Sequence, residues 1–294
     1  MFRRLILGIS LFTTASCSRA AGFPEPTSQP LPKEIPEPPH ATQGTWRFAQ
    51  DPRPASYTTI STTILELQLD TVTQRDTIRV TASYTIAATG HPDSTKLTGS
   101  LEQISVETGG HIGQSADSTP LPMNFTGRVA RGILILDSAG KTALQTSRVC
   151  TGNSLSIFPV IQRNLLTLPQ MITAGMTWSD SVSLIDCSGS VPVALKAFRE
   201  YKTIGETTHR GRRLILIERS DKTTGTGEGA QGQHRLTLRT DGTGLVRLYL
   251  DRTSGRLEAA EGEKRSRVAV TASGRTRLFQ QTTREETTRT GTSN

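Results

Sequence analysis

The residues of this chain best suited to chemistry are its three cysteines, Cys17, Cys150 and Cys187. Their spacing points to covalent attachment, not catalysis, because a zinc site wants four ligands at close spacing. Cys17 follows Thr14-Ala15-Ser16, small residues of the kind that precede a lipidated cysteine. Thr14 departs from the usual leucine, so cleavage after Ala20 or Ala21 is the competing reading. With Cys17 lipidated, Cys150 and Cys187 remain as an even pair in an oxidising compartment, where a disulfide is expected. Closing a loop of roughly 38 residues, it would contribute about 4 kcal/mol by restricting the unfolded chain. Two buried free thiols are the alternative.

Other constellations offer less. Gly227-Glu228-Gly229-Ala230-Gln231-Gly232 fits the dinucleotide fingerprint, but that fingerprint needs a helix behind it to receive the pyrophosphate, and a strand follows here. The spacing of Gly225, Gly227 and Gly229 suits a strand face left bare for close packing, with a helix as the expected occupant. His40, His91, His111, His209 and His234 form no i, i+4 pair, and no G-x-S-x-G elbow is present. Asp70, Asp76, Glu258, Glu261 and Glu263 stand among arginines and threonines, where solvated strand edges are expected. Trp178 is expected as a core anchor, and Trp46, at the end of the tether, is expected either to cap the first sheet or to stay mobile. Asn124-Phe125-Thr126 matches a glycosylation acceptor, which a bacterial-type export signal makes irrelevant. The expectation is therefore no enzyme, no catalytic residue, no metal and no cofactor.

The elements that must position these residues divide the chain into an address, a tether and a domain. Residues 1–16, with Arg3 and Arg4 ahead of an apolar run from Leu5 to Phe12, read as a signal peptide. Residues 17–55 read as a lipidated cysteine and a disordered tether, since nine of the 15 prolines fall between Ser18 and Ala55. Residues 56–280 read as a β-rich domain, either one unit or two fused halves at 56–150 and 168–280. Residues 281–294, rich in Thr, Arg and Glu, read as a frayed polar tail.

Within the domain, apolar and polar residues alternate. Thr58 to Asp70 and Thr77 to Ile86 predict a long hairpin. Further strands are expected at 96–107, 123–129, 132–136, 176–184 and 193–206, and a strand buried on both faces at Leu214-Ile215-Leu216-Ile217. Later strands are expected at 233–239, 245–250, 257–261 and 266–279, with Asp241-Gly242 and Ser254-Gly255 as turns. One short helix is expected near residues 153–166, capped by Asn153 or Ser154 and ended by Pro169. Short turns between successive strands give antiparallel pairing. The fold class is mainly β: a large antiparallel bent sheet, as half-barrel, barrel or sandwich, with that one helix.

The excess positive charge lies late in the chain: residues 1–195 carry 14 Lys and Arg against 14 Asp and Glu, and residues 196–294 carry 20 against 12. An exported chain makes nucleic acid a poor partner for it and anionic lipid headgroups a better one, but 27 arginines against 7 lysines also fit a GC-rich genome, so a basic excess without a binding role is the favoured reading. Leu168-Pro169, Gly175, Trp178 and Asp180, followed by Gly205, Gly227, Gly229, Gly242, Gly244 and Gly255, resemble a group of uncharacterised bacterial exported β-rich lipoproteins, over residues 168–260. The group brings no assigned catalytic residue. In architecture the chain is similar to periplasmic lipoprotein carriers and lipid-binding lipoproteins. The resemblance implies a cell-envelope lipoprotein, held to the membrane by its N-terminal lipid, on the periplasmic face of an outer membrane where there are two. A soluble periplasmic or secreted protein is the alternative. Its expected role is structural or interactive and non-enzymatic, or else that of a carrier holding a hydrophobic or anionic lipid ligand in a groove of the bent sheet.

Overall fold

The computed structural model of the chain describes residues 44–48, 51–69, 72–91, 94–109, 111–113, 121–130, 133–139, 168–188, 191–231 and 233–291. These residues form fourteen strands: β1 (Thr45–Arg47), β2 (Ala55–Leu69), β3 (Val72–His91), β4 (Ser94–Thr108), β5 (His111–Gly113), β6 (Met123–Ala130), β7 (Ile133–Ala139), β8 (Met171–Thr173), β9 (Thr177–Ser188), β10 (Val191–His209), β11 (Arg212–Gln231), β12 (His234–Leu250), β13 (Leu257–Ala272) and β14 (Arg275–Gly291). No helix occurs among them. The short helix expected near 153–166 falls outside the described residues and gains no support, and residues 1–43, with Cys17, also fall outside.

One sheet of 12 strands runs in the order β7-β6-β4-β3-β2-β14-β13-β12-β11-β10-β9, with β5 paired to β4 beside that path, while β1 and β8 form a separate ribbon. Every pairing is antiparallel, as short connections require. The sheet is not closed, so the barrel drops out. It ends at β7 and β9.

Two expectations fail for the same physical reason. Residues 281–291 are not a frayed tail but part of β14, which pairs with β13 on one side and β2 on the other and so joins both halves in one sheet. Asp241-Gly242 is not a turn: it lies inside β12, with Gly242 opposite Thr223 and Ser266. In both places the inward-facing positions are polar residues or glycine, so no apolar periodicity marks the strand. The expected turn at Gly255 does form, and Arg210-Gly211 makes another between β10 and β11, with positive φ at each of the three residues.

Side chains of one face, the core face, gather a large apolar cluster that includes Tyr57, Tyr84, Leu97, Phe125, Tyr201, Ile215, Ile217, Leu248 and Leu250. Trp46 of β1 and Ile172 of β8 are buried in the same cluster, so the ribbon packs on this face. Trp46 sits in a strand, not in a tether, and its indole donates to Glu206 at 3.1 Å. A register shift between Thr203 and Gly205 of β10 turns Glu206 to that side. Leu214 and Leu216 pack on the opposite, outer face with Tyr249 and Ala259, so the run 214–217 is buried on both sides as expected.

The glycines of β11 face their own sheet, not a helix. A Cβ on Gly227 would lie 2.5 Å from the Pro192 carbonyl oxygen and 3.1 Å from Val191 and Val193 side chains. Bare backbone there lets the side chains of β10 fold over β11.

Candidate functional site: charged rows on two faces

Antiparallel register lines side chains up in rows across the strands. On the core face one row runs Asp180, Arg199, Asp221, Gly244, Lys264, Thr283, Thr63 from β9 to β2. Its neighbour runs Trp178, Tyr201, Arg219, Val246, Gly262, Glu285, Ser61. Arg199 and Arg219 are 4% and 2% exposed, which is affordable only because each has a carboxylate. Arg199 donates to both oxygens of Asp180 at 2.6 Å, and Arg219 donates to Asp221 at 2.8 and 3.0 Å. Tyr201 donates to Asp180 at 3.2 Å and stacks on Trp178 at 5.1 Å. Burial raises the Tyr201 hydroxyl above its usual range, so it remains a donor. Gly244 and Gly262 leave a cavity of about 50 Å³ beside Arg219, Lys264 and Glu285, room for a few waters.

The outer face differs. Three rows cross its centre: Ile60, Glu286, Glu261, Arg247; then Thr62, Arg284, Glu263, Leu245; then Ile64, Thr282, Arg265, Thr243. Most of these side chains line an open groove of about 590 Å³. Ile60 and Leu245 give it apolar patches, and its charges are graded. Glu261 and Glu286 stand directly opposite each other at one end, a like-charge pairing that costs stability. Tyr249 donates to Glu261 at 2.5 Å, and Arg210 to Glu286 at 2.5 Å. In the middle, Glu263 accepts from Arg265 at 2.8 Å and Arg284 at 2.9 Å. Burial pushes the Glu263 carboxyl up, and the hydrogen bonds from Arg284 and Arg265 outweigh it, leaving the group below the usual carboxylate range. Arg265 and Arg284 remain 42% and 70% exposed in their side chains, and a guanidinium has five donors. Thr243, opposite Arg265, has a buried hydroxyl without a partner among the described residues.

The residues singled out from sequence do not converge. Cys150 lies outside the described residues. Cys187 ends up opposite Pro192 on the edge strand β9, with its side chain outside the description. No disulfide is found among the described residues. Asp70, His40 and the loop after Gly113 also lie outside. Glu258, Glu261 and Glu263 are not merely solvated edges: Glu258 is buried between Arg212 and Arg289, and the other two line the groove. Trp178 is the expected core anchor. Arg199, Arg219 and Arg247 were missed. Their signal was there, since Arg199 follows Val191, Val193, Leu195 and Ala197 at every second position of β10. Among the described residues, no group of three or more His, Cys, Asp and Glu could hold a metal.

No protein-family profile matches the chain, and no curated protein matches it. Among solved structures it is similar to Pseudomonas aeruginosa OccK2 (OpdF), at 8% identity over 80% of this chain and 98% of that one, with a TM-score of 0.26. A mutant of Rh. blastica porin follows at 9% identity, 79% and 99% coverage and a TM-score of 0.22. Pseudomonas aeruginosa OccK8 (OprE) follows at 8% identity, 81% and 98% coverage and a TM-score of 0.21. These neighbours are outer-membrane porins, not lipoproteins or lipid carriers. The expected lipoprotein with a structural or interaction role is thereby corrected, and so is its alternative, the lipid carrier. The face that would have held an acyl chain is instead filled by its own aromatic side chains and crossed by charged rows.

Proposed function

We propose that this chain is an exported binding protein of the cell envelope that holds a small polar, ionisable ligand in the outer-face groove, without transforming it. One observation carries this reading. The core-face pairs Asp180–Arg199 and Arg219–Asp221 are buried and satisfy one another, whereas on the outer face guanidinium and carboxylate groups stand partly exposed around about 590 Å³ of open space. Export rests on the basic start and apolar run of residues 1–16. A water-facing outer surface rests on exposed charges in mid-strand, among them Lys196, Glu200 and Lys202 of β10 and Lys222 of β11. A Lys or Arg facing lipid at the bilayer midplane costs about 2–4 kcal/mol.

The test is a titration of the purified exported protein with amino acids, short peptides, sugar phosphates and neutral oligosaccharides, followed by backbone amide shifts. Shifts concentrated at Thr62, Leu245, Glu263 and Arg284, weakened in Arg284→Gln, are expected. Ion conductance across a planar bilayer with no groove shifts would replace this reading with that of a channel.

A further inference from the structure

The groove has two electrically distinct ends, and this fixes the kind of ligand it suits. Along β13 the order is Glu261, Glu263, Arg265, and along β14 it is Glu286, Arg284, Thr282, with each pair in register. Each residue of a strand rises about 3.3 Å and alternate residues share a face, so the Glu261–Glu286 row and the Arg265 row, four residues apart, are roughly 13 Å apart. Glu263 sits between them and neutralises part of both guanidiniums. What remains is a carboxylate pair at one end and unspent guanidinium donors at the other, joined by Ile60, Thr62 and Leu245. Arg210 already pairs with Glu286, with both side chains more than half exposed, so the repulsion between the two carboxylates is relieved in part and a ligand ammonium would relieve the rest. A planar guanidinium prefers a carboxylate or phosphate.

We infer that the groove takes a zwitterionic, extended small molecule, most simply a short peptide with free termini. Its ammonium lies against Glu261 and Glu286, and its carboxylate lies against Arg284 and Arg265. A tripeptide in extended form spans roughly 10 Å, between the Arg284 row at roughly 7 Å from the carboxylates and the Arg265 row at roughly 13 Å. The apolar patches accept small side chains without selecting among them. This inference rests on the groove being the binding site.

The probes are trialanine with free termini, its N-acetyl form, its C-amide form, and maltotriose as a neutral control, each titrated into the exported protein by calorimetry and by amide shifts. Free trialanine is expected to bind at least about tenfold more tightly than either blocked form, a difference of roughly 1.4 kcal/mol. Glu261→Gln is expected to erase the discrimination against the N-acetyl form only, and Arg284→Gln that against the C-amide form only. Both positions tolerate the change, because glutamine still accepts from Tyr249 and Arg284 is mostly exposed. Unchanged thermal midpoints confirm that the variants fold. Equal binding of blocked and free peptides, or groove shifts with maltotriose alone, overturns the zwitterion and leaves the groove standing. No groove shift with any probe overturns the groove itself.

Discussion

The guanidinium of Arg199 meets the carboxylate of Asp180 edge-on across the β9–β10 pair, Nε and Nη2 each 2.6 Å from a carboxylate oxygen. Arg199 lies at 5% side-chain exposure and Asp180 at 19%, on the face that also carries the aromatic core. Removing one partner strands the other charge away from water, so Arg199→Ala is expected to lower stability by about 3–5 kcal/mol. Replacing both, as Asp180→Leu with Arg199→Met, should restore most of it. Urea unfolding of the single and double variants decides the matter; a double variant as weak as the single would mean that the pair does more than neutralise itself.

The glycines of the core face separate into those whose bareness is required and those where it is not. A Cβ at Gly227 meets a carbonyl oxygen at 2.5 Å, while one at Gly244 meets nothing nearer than 3.3 Å. Gly227→Ala is expected to cost about 1–3 kcal/mol through overpacking. Gly244→Ala should cost less than Gly227→Ala, because its nearest contact, the Glu263 carbonyl oxygen at 3.3 Å, need give by only a few tenths of an ångström. Thermal midpoints that fall equally in both variants would contradict this division.

The legible part of the fold was the part with apolar alternation. β3 and the first half of β10 announce themselves by an apolar residue at nearly every second position. β14 does not, because its inward residues from Gln281 to Arg289 are polar, among them Thr283 and Thr287, whose hydroxyls meet Thr63 at 3.1 Å and Thr59 at 2.8 Å. A buried hydroxyl pair costs little when each member bonds the other, and such a strand looks like solvated tail. The groove was hidden for a different reason. Glu263 is close to Arg265 in sequence but far from Arg284 and Thr62, and only the register of β13, β14 and β2 sets them in one row. A one-residue slip in any of those pairings would turn the groove residues to the core face.

His209 stacks on Tyr249, ring centres 4.0 Å apart and planes 24° from parallel. Burial holds its pKa below the ordinary 6.5; Glu261 and Glu286 pull it upward and Arg210 pushes it down. The folded protein therefore takes up this proton less readily than the unfolded chain. The stability due to the neutral ring is complete above the unfolded pKa and is lost as pH falls below it toward the folded value. Between about pH 7.5 and about pH 5 the unfolding midpoint of the wild type should drop further than that of His209→Phe, which keeps the stack without the proton. Parallel curves for the two proteins would show that the imidazole is not the group responsible.

Glu258 is the residue through which three strand ends are joined. The register shift at Tyr249 and Leu250 leaves it between the partners Leu257 and Ala259, without a partner of its own on β12. Its side chain, 5% exposed, lies between Arg212 at the start of β11 and Arg289 near the end of β14. Glu286 makes a superficially similar bond to Arg210, but there both side chains are more than half exposed. Burial decides which carboxylate matters. Glu258→Ala is expected to lower stability by about 3 kcal/mol, since it leaves Arg289 largely covered and unpaired. Glu286→Ala should change it by less than about 1 kcal/mol. Raising the salt concentration should shrink the small effect and leave the large one nearly intact, because buried pairs are poorly screened. Unfolding curves of both variants at low and high salt measure this directly, and equal losses at the two sites would mean that the strand ends are held by something other than Glu258.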